Sequence, residues 1–560
     1  MSENIEVLFL HVPKFSSYYK PLDEFMNITY IPMGVFALAD LVARKKHCVE
    51  ILHAGIEWIL DRNFSIVEYI KKQKKLKVVF MPLFWHYQSY DVINMAEKIK
   101  KARPDVYVFL GGFTASYFAE QITENFEFID GVMKGYSEKP MDILCDKIMK
   151  PAGGAVNFNG VPNLVLSSRH NNQESIAAAV NSKSCPDSGD SKCDYFITSQ
   201  AEFDSLRFSN IGLLRNFHYY AKLFSFPLAY SKNLSQSENI RLNNMGLKMF
   251  PVEIGRGCST SCTWCAGSAP NQKKMNFKAV VLWRNPEKVA DTMEEALLFG
   301  YKTFAVCFDP EPEKQEYYLE LFEVIRRRNI KCGLYFECYA LPTARFIESF
   351  KNTFELDKSV IAISPECGNE EIRRKNKGFY FSNDEFYKIL DVLQKNKIKT
   401  DVFFTMGIPN ENINTLYDTQ RMIKTIDSRY DNIGRMMTWG IQTEPGAPLF
   451  EKPEFFNAVT DRKTFMDFYK IHSGANSDTY SALGYSIKNY FLDGKTYSPE
   501  EFSEKIMQIK CRDFCFLHND CASYNMPFAG RLTCKLRALG FWLKGFGKNR
   551  YLNMKRPEFK

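Results

Sequence analysis

Two long parts of the chain alternate strand-like and helix-like segments, and this alternation restricts the fold more than any other feature. In the first 150 residues, apolar runs of strand length lie at 6–12, 48–54, 76–84 and 106–112. Amphipathic helical patterns separate them, as at 33–47 and 92–104. Short strands joined by helical crossovers predict an α/β fold with a doubly wound, Rossmann-like parallel sheet. Ligands bind such sheets at the carboxyl ends of the strands.

The same alternation resumes in the second half of the chain. Strand patterns lie at 251–255, 303–308, 332–338, 359–364, 400–407 and 435–442. Helical patterns lie between them, and the helix predicted over 286–300 begins at Pro286, a residue suited to a first turn. Six such units are too few for a closed eight-stranded barrel and predict an open, partial (β/α)6 barrel.

Composition shifts divide the rest of the chain. Residues 151–250 begin with a stretch rich in Ser, Asn, Asp and Lys and predict an insertion and linker between the two α/β parts. Cys185 and Cys193 lie in it without a pattern and are interpreted as incidental thiols. We therefore expect domains at 1–150 and 251–445. Residues 446–560 lack the β/α repeat and are predicted to form a mainly helical extension.

Length and charge exclude several classes of protein. A chain of 560 residues exceeds one hydrophobic core and predicts several domains. No run approaches the roughly 18 apolar residues of a membrane span, and the first residues lack a signal-peptide pattern, so we expect a cytoplasmic protein. The net charge of +8 is concentrated in residues 530–560, which contain nine Lys or Arg and one Glu. The neutral remainder argues against a nucleic-acid-binding protein.

The strongest local motif is a group of three cysteines, Cys258, Cys262 and Cys265, directly after the first strand of the second α/β part. Thiolates three and four positions apart on a loop can converge on one metal centre. Three of them leave one iron of a four-iron cluster without a protein ligand. A structural zinc site is the alternative, but it usually takes four protein ligands, and no fourth Cys or His follows nearby.

The pattern Cys-x3-Cys-x2-Cys after a first strand resembles the radical S-adenosylmethionine (SAM) superfamily. Further segments resemble that family in the same order, at 266–268, 364–368, 407–411 and 445–449. The resemblance implies that the free iron of a [4Fe-4S] cluster chelates the amino and carboxylate groups of SAM, which is then cleaved to a 5′-deoxyadenosyl radical. It also implies backbone contacts with the cofactor from Ala266 and Gly267, and we expect further SAM contacts from Glu337, Ser364 and Glu366.

Three segments of the first part, at 32–34, 111–116 and 135–140, resemble the cobalamin-binding domain that precedes the radical domain in one large subgroup. This resemblance implies that cobalamin contacts Gly111, Gly112, Gly135, Tyr136, Ser137 and Glu138. The alternative is a Rossmann-like domain without a ligand. The sequence lacks the Asp-x-His-x-x-Gly motif that supplies a histidine to cobalt in other cobalamin proteins, so we expect no cobalt ligand of that kind.

The C-terminal extension carries two further signals. Cys511, Cys515 and Cys521 could form a second metal site, or they could belong to a cysteine-rich lid without metal. Residues 536–550 interleave Leu, Phe and Trp with Lys and Arg, which is typical of a helix on an anionic membrane surface. A solvated terminal helix is the alternative, because three glycines weaken the helix.

The resemblance predicts a cobalamin-dependent radical SAM methyltransferase that acts on an unactivated carbon. It implies two molecules of SAM, one as the methyl source for cobalamin and one as the source of the radical. Alternatives are a non-methylating rearrangement, cyclisation or C–C coupling, and a cluster or cobalamin sensor. An RNA methylthiotransferase would need an N-terminal cysteine trio, and residues 1–150 contain only Cys48 and Cys145. The expected partners are a small-molecule, lipid or peptide substrate and an electron donor such as flavodoxin or ferredoxin, with peripheral membrane contact through the tail.

Overall fold

The computed structural model describes residues 4–14, 26–28, 31–61, 63–151, 156–170, 195–223, 228–230, 249–441, 444–456, 458–460, 462–473, 487–492 and 495–497. Five cysteines discussed above lie outside these residues, namely Cys185, Cys193, Cys511, Cys515 and Cys521. The basic tail, residues 530–560, also lies outside them. The second metal site and the membrane-surface helix therefore stay predictions.

In chain order the strands are β1 (Val7–His11), β2 (Met26–Ile28), β3 (Val49–His53), β4 (Val78–Pro82), β5 (Tyr107–Gly111), β6 (Gly131–Met133), β7 (Leu164–Leu166), β8 (Leu228–Tyr230), β9 (Phe250–Pro251), β10 (Gly255–Arg256), β11 (Leu282–Trp283), β12 (Thr303–Val306), β13 (Gly333–Cys338), β14 (Val360–Glu366), β15 (Thr400–Met406), β16 (Ile433–Gly440), β17 (Val459–Thr460), β18 (Ile487–Leu492) and β19 (Lys495–Tyr497). The α-helices are α1 (Met33–Arg44), α2 (Ala54–Leu60), α3 (Ile66–Lys72), α4 (Ser89–Ala102), α5 (Phe113–Tyr117), α6 (Ala119–Asn125), α7 (Glu138–Met149), α8 (Gln200–Asp204), α9 (Phe217–Leu223), α10 (Ala269–Asn276), α11 (Pro286–Leu298), α12 (Glu316–Arg327), α13 (Ala344–Thr353), α14 (Glu370–Asn376), α15 (Asn383–Lys395), α16 (Ile413–Arg429), α17 (Pro448–Glu451) and α18 (Phe465–Ser473).

The first sheet has the strand order β3-β1-β4-β5-β6-β7, and all neighbours are parallel except the antiparallel pair β6 and β7. The doubly wound α/β arrangement expected for this part is thus observed. The chain passes from β1 to β3 on one side and then to β4 on the other side of β1. The gap between the loops after β1 and β4 is therefore the topological switch point, where open sheets of this kind bind ligands.

The second sheet has the strand order β9-β12-β13-β14-β15-β16 and is parallel throughout. Its six strands correspond to the six predicted ones, with helices in the connections. The first strand is shorter than the predicted segment 251–255, because Gly255 and Arg256 pair in antiparallel fashion with Trp283 and Leu282 instead. This early departure from the sheet frees the following residues to form the cysteine loop.

The two faces of the second sheet differ in what they contact, because side chains alternate along each strand. One face packs into the main hydrophobic core, with residues such as Phe336, Ile363 and Phe404. The other face, here called the inner face, carries a separate small apolar group that includes Ala305, Tyr335, Ala362 and Phe403. Polar residues follow these apolar ones toward the carboxyl ends of the strands, so the inner face provides the site described below.

The region after the second sheet differs in part from the helical prediction. β17, β18 and β19 form an antiparallel sheet, because segment 487–492 is rich in aromatic and β-branched residues that favour strands. Helix α18 packs against the first sheet's helices through Phe465 and Phe468, whose rings contact Phe118. In the part of the chain that the structure describes, every helix is too short or too polar to cross a bilayer.

Candidate functional site

The three cysteines of the predicted motif lie on one loop beside the carboxyl end of the second sheet. Cys258 is buried, and Cys262 and Cys265 are partly buried. Each sulfur accepts one backbone N–H. Thr260 donates to Cys258 Sγ at 3.4 Å, Gly378 to Cys262 Sγ at 3.2 Å and Gly267 to Cys265 Sγ at 3.3 Å. Hydrogen bonds of this kind stabilise negative charge on thiolates that ligate iron.

The side chain of Thr260 joins two of these sulfurs. Its Oγ1 lies 3.1 Å from Cys258 Sγ and 3.8 Å from Cys262 Sγ. Burial raises the pKa of the Cys265 thiol to about 12, with the Cys262 sulfur as the next cause. An iron centre would deprotonate such a thiol outright.

Among the described residues, no three His, Cys, Asp or Glu side chains are arranged around a single metal ion. The cysteine loop instead offers three thiolates, each with its own hydrogen-bond donor. This donor set fits an iron–sulfur cluster with one open iron.

The segment after α14 closes over the cysteine loop because Gly378 has no side chain. A Cβ at Gly378 would lie 2.4 Å from Thr260 Cβ and 3.0 Å from the Ser261 nitrogen. Its neighbour Asn376 accepts the Thr263 N–H at 2.9 Å and donates to Pro409 O at 3.0 Å. The cysteine loop is therefore fixed to the turns after β14 and β15.

Glu366, one of the predicted SAM contacts, ends β14 in an unusual conformation. Its φ of 64° is in the left-handed region, and the pairing of β14 with β15 shifts register before it. Its carboxylate pairs with Lys377 Nζ at 2.9 Å and accepts the Thr405 hydroxyl at 2.5 Å. A strained backbone that is held by charged partners is typical of functional sites.

Lys377 connects the two predicted residues of this strand end. Besides Glu366, it donates to the backbone oxygen of Ser364 at 2.5 Å. The ion pair is nearly enclosed, with side-chain exposures of 4% for Lys377 and 13% for Glu366. Because Lys377 directly precedes Gly378, the same segment contacts both the Glu366 carboxylate and the cysteine loop.

Glu337, a further predicted SAM contact, lies on the inner face of the second sheet. Burial raises the pKa of its carboxyl group to about 7, while Tyr335 and Arg435 oppose this shift. Cys307, on the neighbouring strand end, hydrogen-bonds to the same carboxyl group. Tyr339 donates its hydroxyl to Cys307 O at 3.1 Å. The Glu337 carboxyl, the Cys307 thiol and the Tyr339 phenol therefore form a cluster of titratable side chains at the carboxyl ends of the strands.

Ala266 and Gly267 stand directly after the last cysteine. Ala266 O accepts a hydrogen bond from Asn271 Nδ2 at 2.6 Å, and the Gly267 N–H donates to Cys265 Sγ. Gly446, at φ 87°, approaches Asn271 so closely that a Cβ would lie 2.3 Å from its amide. The predicted closing segment 445–449 therefore packs on the cysteine loop. Contacts of Ala266 and Gly267 with SAM stay predictions.

Gly111 and Gly112 lie at the carboxyl end of β5 in the first sheet. Gly112 has a φ of 98°, and a Cβ there would lie 3.1 Å from Leu83 O, so the loops after β4 and β5 touch through it. Phe84, next to Leu83, is 37% exposed. The glycines thus occupy the predicted edge of the sheet, and their contact with cobalamin stays a prediction.

The predicted cobalamin residues of the turn after β6 contact the second α/β part of the chain. A Cβ at Gly135 would lie 2.9 Å from Met275 O of α10. Glu138 pairs with Arg256 at 2.6 Å, and Arg256 lies over the Tyr136 ring at 5.4 Å. The structure therefore gives Gly135, Tyr136 and Glu138 a role between the two sheets. Ser137 lies in the same turn, where its hydroxyl donates to Gly135 O.

Sequence reasoning missed several residues that build the site. Asn376, Lys377, Gly378 and Cys307 belong to no motif that stands out in one sequence, and Thr260 fills an unspecified position inside the cysteine motif. Their roles depend on contacts between distant segments, such as the 116 positions that separate Gly378 from Cys262. The one available signal was Gly378 within an otherwise helical and aromatic stretch, because an isolated glycine often marks a close backbone approach.

Comparison with known proteins agrees with this geometry. Residues 252–423 match the model of the radical SAM superfamily. A search of curated proteins finds no significant match. The structure is similar to radical S-adenosylmethionine methyltransferase TsrM from Kitasatospora setae with tryptophan substrate and a SAM analog bound, with a TM-score of 0.53 and 15% identity over 82% of this chain and 77% of that one.

The same enzyme with cobalamin and a [4Fe-4S] cluster bound gives a TM-score of 0.52 and 14% identity over 82% of this chain and 79% of that one. Because the match covers most of both chains, it includes the first sheet as well as the second. The chain therefore contains a radical SAM domain over residues 252–423 and shares its overall fold with TsrM, a radical S-adenosylmethionine methyltransferase.

Proposed function

We propose that this protein is a cobalamin-dependent radical SAM methyltransferase that transfers a methyl group to an unactivated carbon. The observation that carries the proposal is the cysteine loop, in which each of three sulfurs accepts one backbone N–H at the carboxyl edge of a parallel six-stranded sheet. The match to TsrM over both sheets supports the cobalamin and methyl-transfer parts. We infer that the second sheet is a partial (β/α)6 barrel.

The cysteine loop fits the cluster, since its three thiolates leave one iron open for SAM. When bound there, the cluster supplies the electron that cleaves SAM and so generates the radical. The chain's own residues position SAM beside it. Glu366, held by Lys377 and Thr405, offers a fixed carboxylate for the ribose hydroxyls. Glu337 and Ser364 face the same edge of the sheet.

The proposal places cobalamin beside the switch point of the first sheet. The loops after β4 and β5 present Phe84 at 37% exposure, with the rings of Trp85 and Phe113 at 4.9 Å and 6.0 Å from it. Apolar rings on a loop that borders a switch point suit a flat macrocycle. His11 and His53, at the ends of β1 and β3, pack on each other with ring centroids 4.7 Å apart. We expect no histidine of the Asp-x-His-x-x-Gly type on cobalt.

The class of substrate and the electron donor are inferred from the proposed function and from the side chains on the inner face. The inner face combines the Arg435 guanidinium, the Glu337 carboxyl group and the Tyr335 and Phe403 rings. Such a mixture suits a small polar molecule or a peptide side chain better than a lipid chain. A flavodoxin or ferredoxin would supply electrons in a cytoplasmic setting.

The test is anaerobic isolation of the full chain, followed by measurement of iron, sulfide and cobalt and by turnover with SAM. The proposal predicts bound cluster and cobalamin, and equal amounts of S-adenosylhomocysteine and 5′-deoxyadenosine with a product one methyl group heavier. Cys48→Ala, an exposed cysteine of the first sheet, is the matched control for Cys262→Ala. A protein that binds SAM and cluster but never cobalt would refute methyl transfer through cobalamin.

A second candidate is a non-methylating radical rearrangement, and one observation favours it. The Cys307 thiol lies on the edge of the inner face in hydrogen-bond contact with Glu337. A thiol there can return a hydrogen atom to a substrate radical, which a rearrangement needs and a methylation does not. A product of unchanged mass whose formation is lost in Cys307→Ala would favour this candidate.

A further inference from the structure

A basic surface with one exposed aromatic ring lies directly outside the cysteine loop. It is formed by α10, by the last residues of α14 and by the segment that follows α14. The proposed function assigns no role to this surface, which we call the α10–α14 surface. Its members are all exposed to solvent, and they are Pro270, Lys273, Arg374, Lys375, Gly378 and Tyr380.

The two parts of this surface adjoin at Thr260, in the cysteine loop. The Ala269 N–H at the start of α10 donates to Thr260 O at 2.8 Å. From the other side, a Cβ at Gly378 would lie 2.4 Å from Thr260 Cβ. Lys273 stands four positions after Ala269 and three after Pro270, so these residues share one side of α10. The helix and the Gly378 segment are therefore parts of one continuous surface.

The charge of the α10–α14 surface is positive. Residues 257–283 contain three lysines and neither Asp nor Glu. Lys375 pairs with Glu371 at 2.6 Å, and this pair adds no net charge. Lys273 and Arg374 form no ion pair with any residue that the structure describes. These two exposed cations therefore give the surface its charge.

Tyr380 adds an aromatic ring that is 38% exposed. The Arg374 guanidinium lies over this ring, 4.3 Å from its centroid. The Tyr380 hydroxyl donates to Glu370 Oε2 at 2.7 Å, so the ring is held from both ends. Tyr and Arg are enriched among the interface residues that contribute most to binding free energy. The surface thus combines positive charge with a fixed aromatic side chain, as protein-binding surfaces do.

Gly378 connects this surface to the cysteine loop. The residue is exposed, and its N–H donates to Cys262 Sγ at 3.2 Å. An electron that arrives at Gly378 therefore has one hydrogen bond to cross before it reaches a sulfur of the predicted cluster site. Electron transfer slows steeply with distance, so a place where a ligand sulfur lies this close to solvent favours reduction by another protein.

The opposite side of the cysteine loop has the opposite charge. The Ser259 N–H donates to Pro310 O at 2.9 Å, which brings residues 309–313 against the loop. These residues include three acidic side chains and no basic one, and Lys314 just after them pairs with Glu311 alone. An acidic partner is therefore attracted to the α10–α14 surface and repelled from this side.

We propose that the α10–α14 surface binds a small acidic electron-carrier protein, which reduces the cluster past Gly378. The inference rests on the proposed function, which needs one electron from outside for each SAM that is cleaved, and it names the kind of partner that delivers the electron. In the step, the reduced carrier loses one electron and the cluster gains it. No bond forms or breaks, and no proton is transferred.

The first test is calorimetric titration of the full chain with an oxidised flavodoxin, a small acidic carrier, at low ionic strength and at ~0.15 M salt. Wild type should bind less tightly at the higher salt concentration, because exposed charges are screened. The double variant Lys273→Glu with Arg374→Glu should bind at least about tenfold more weakly, because both charges would then repel the carrier.

The matched control is the double variant Lys302→Glu with Lys331→Glu. It also reverses two exposed positive charges, just before β12 and β13, at the edge of the sheet opposite to the cysteine loop. Its dissociation constant for flavodoxin should stay within about twofold of the wild-type value, because charges beyond the screening length contribute little.

The second test is the rate at which reduced flavodoxin reduces the cluster, followed by stopped-flow absorbance. Below saturation, the double variant of Lys273 and Arg374 should react about tenfold more slowly than the control. Both double variants should contain the wild-type amount of iron and give the wild-type EPR spectrum with dithionite. This result would show that the charge changes leave the cysteine loop intact.

The outcomes separate the docking surface from the function. Equal dissociation constants in the two double variants overturn the docking surface and leave the proposed function standing. So does a wild type that binds no flavodoxin, or that binds the basic carrier cytochrome c as tightly as flavodoxin. A wild-type chain without a cluster after anaerobic isolation overturns the proposed function, and the electron-transfer step with it.

Discussion

The guanidinium of Arg256 pairs with the carboxylate of Glu138 at 2.6 Å and so joins the cysteine loop to the first sheet. Arg256 stands two positions before Cys258, the first cysteine of the loop, and Glu138 begins α7. Thr198 adds a hydroxyl that donates to Glu138 at 2.7 Å. The pair is largely buried, with side-chain exposures of 14% and 9%. It therefore fixes the cysteine loop relative to the sheet proposed to bind cobalamin.

Glu138→Gln should destabilise the protein, because it leaves the buried Arg256 charge without its partner. Loss of one member of a buried pair costs about 3 kcal/mol. Calorimetry of the full chain should show a lower unfolding temperature. Glu68→Gln, which breaks an exposed pair with Lys71, should cost less than about 1 kcal/mol. Equal effects of the two changes would contradict a structural role for the Arg256 pair.

Gly378→Ala should weaken the cluster, because the new Cβ meets Thr260 at 2.4 Å and pushes the Gly378 N–H away from Cys262 Sγ. We expect less iron per chain after anaerobic isolation and a lower reduction potential, since a hydrogen bond to the sulfur is lost. Gly34→Ala is the matched control, because no atom lies within 4 Å of a Cβ there. Iron content equal to that of Gly34→Ala would argue against this contact.

Lys377→Met should weaken SAM binding without loss of the cluster. Among the described residues, the change leaves the Glu366 carboxylate with the Thr405 hydroxyl as its hydrogen-bond partner and without its ion pair, so the carboxylate is no longer fixed. We expect the dissociation constant for SAM to rise about tenfold, or about 1.4 kcal/mol. Lys375→Met removes an exposed pair with Glu371 and should leave the constant unchanged. Calorimetric titration measures the dissociation constant of each variant for SAM. An unchanged constant in Lys377→Met would show that Glu366 does not contribute to SAM binding.

Glu411→Gln should alter how stability depends on pH. Burial raises the pKa of this carboxyl group from its ordinary 4.5 to about 8. The folded state therefore holds a proton that the unfolded chain releases, and this contribution to stability is lost as pH rises from about 4.5 through about 8. The unfolding temperature of wild type should fall more steeply between pH 5 and 9 than that of Glu411→Gln.

The reason for the smaller pH dependence is that glutamine is neutral throughout and can still accept the Gly407 N–H, which Glu411 accepts at 2.7 Å. Glu371→Gln, at an exposed carboxylate, should follow wild type over the same range. Parallel curves for wild type and Glu411→Gln would show that Glu411 ionises like an exposed carboxylate.

The sequence was sufficient for features that depend on local pattern. The parallel strands follow from apolar runs such as 76–84 and 400–407, and the cysteine loop follows from spacing alone. The sequence did not predict contacts between segments that are far apart along the chain. Nothing in the sequence places Gly378 on Cys262, or Glu138 on Arg256, because these contacts depend on how two sheets and their loops meet. The C-terminal strands were missed because short aromatic segments fit a helix or a strand equally well.

The most direct test of the account is the iron and sulfide content of the full chain after anaerobic isolation, with 5′-deoxyadenosine formation as the second readout. Wild type and Cys48→Ala should contain a four-iron cluster and form 5′-deoxyadenosine from SAM on reduction. Cys262→Ala should lose the product and most of the iron. An iron-free wild-type protein, or one whose Cys262→Ala variant cleaves SAM as well as Cys48→Ala, would contradict the account.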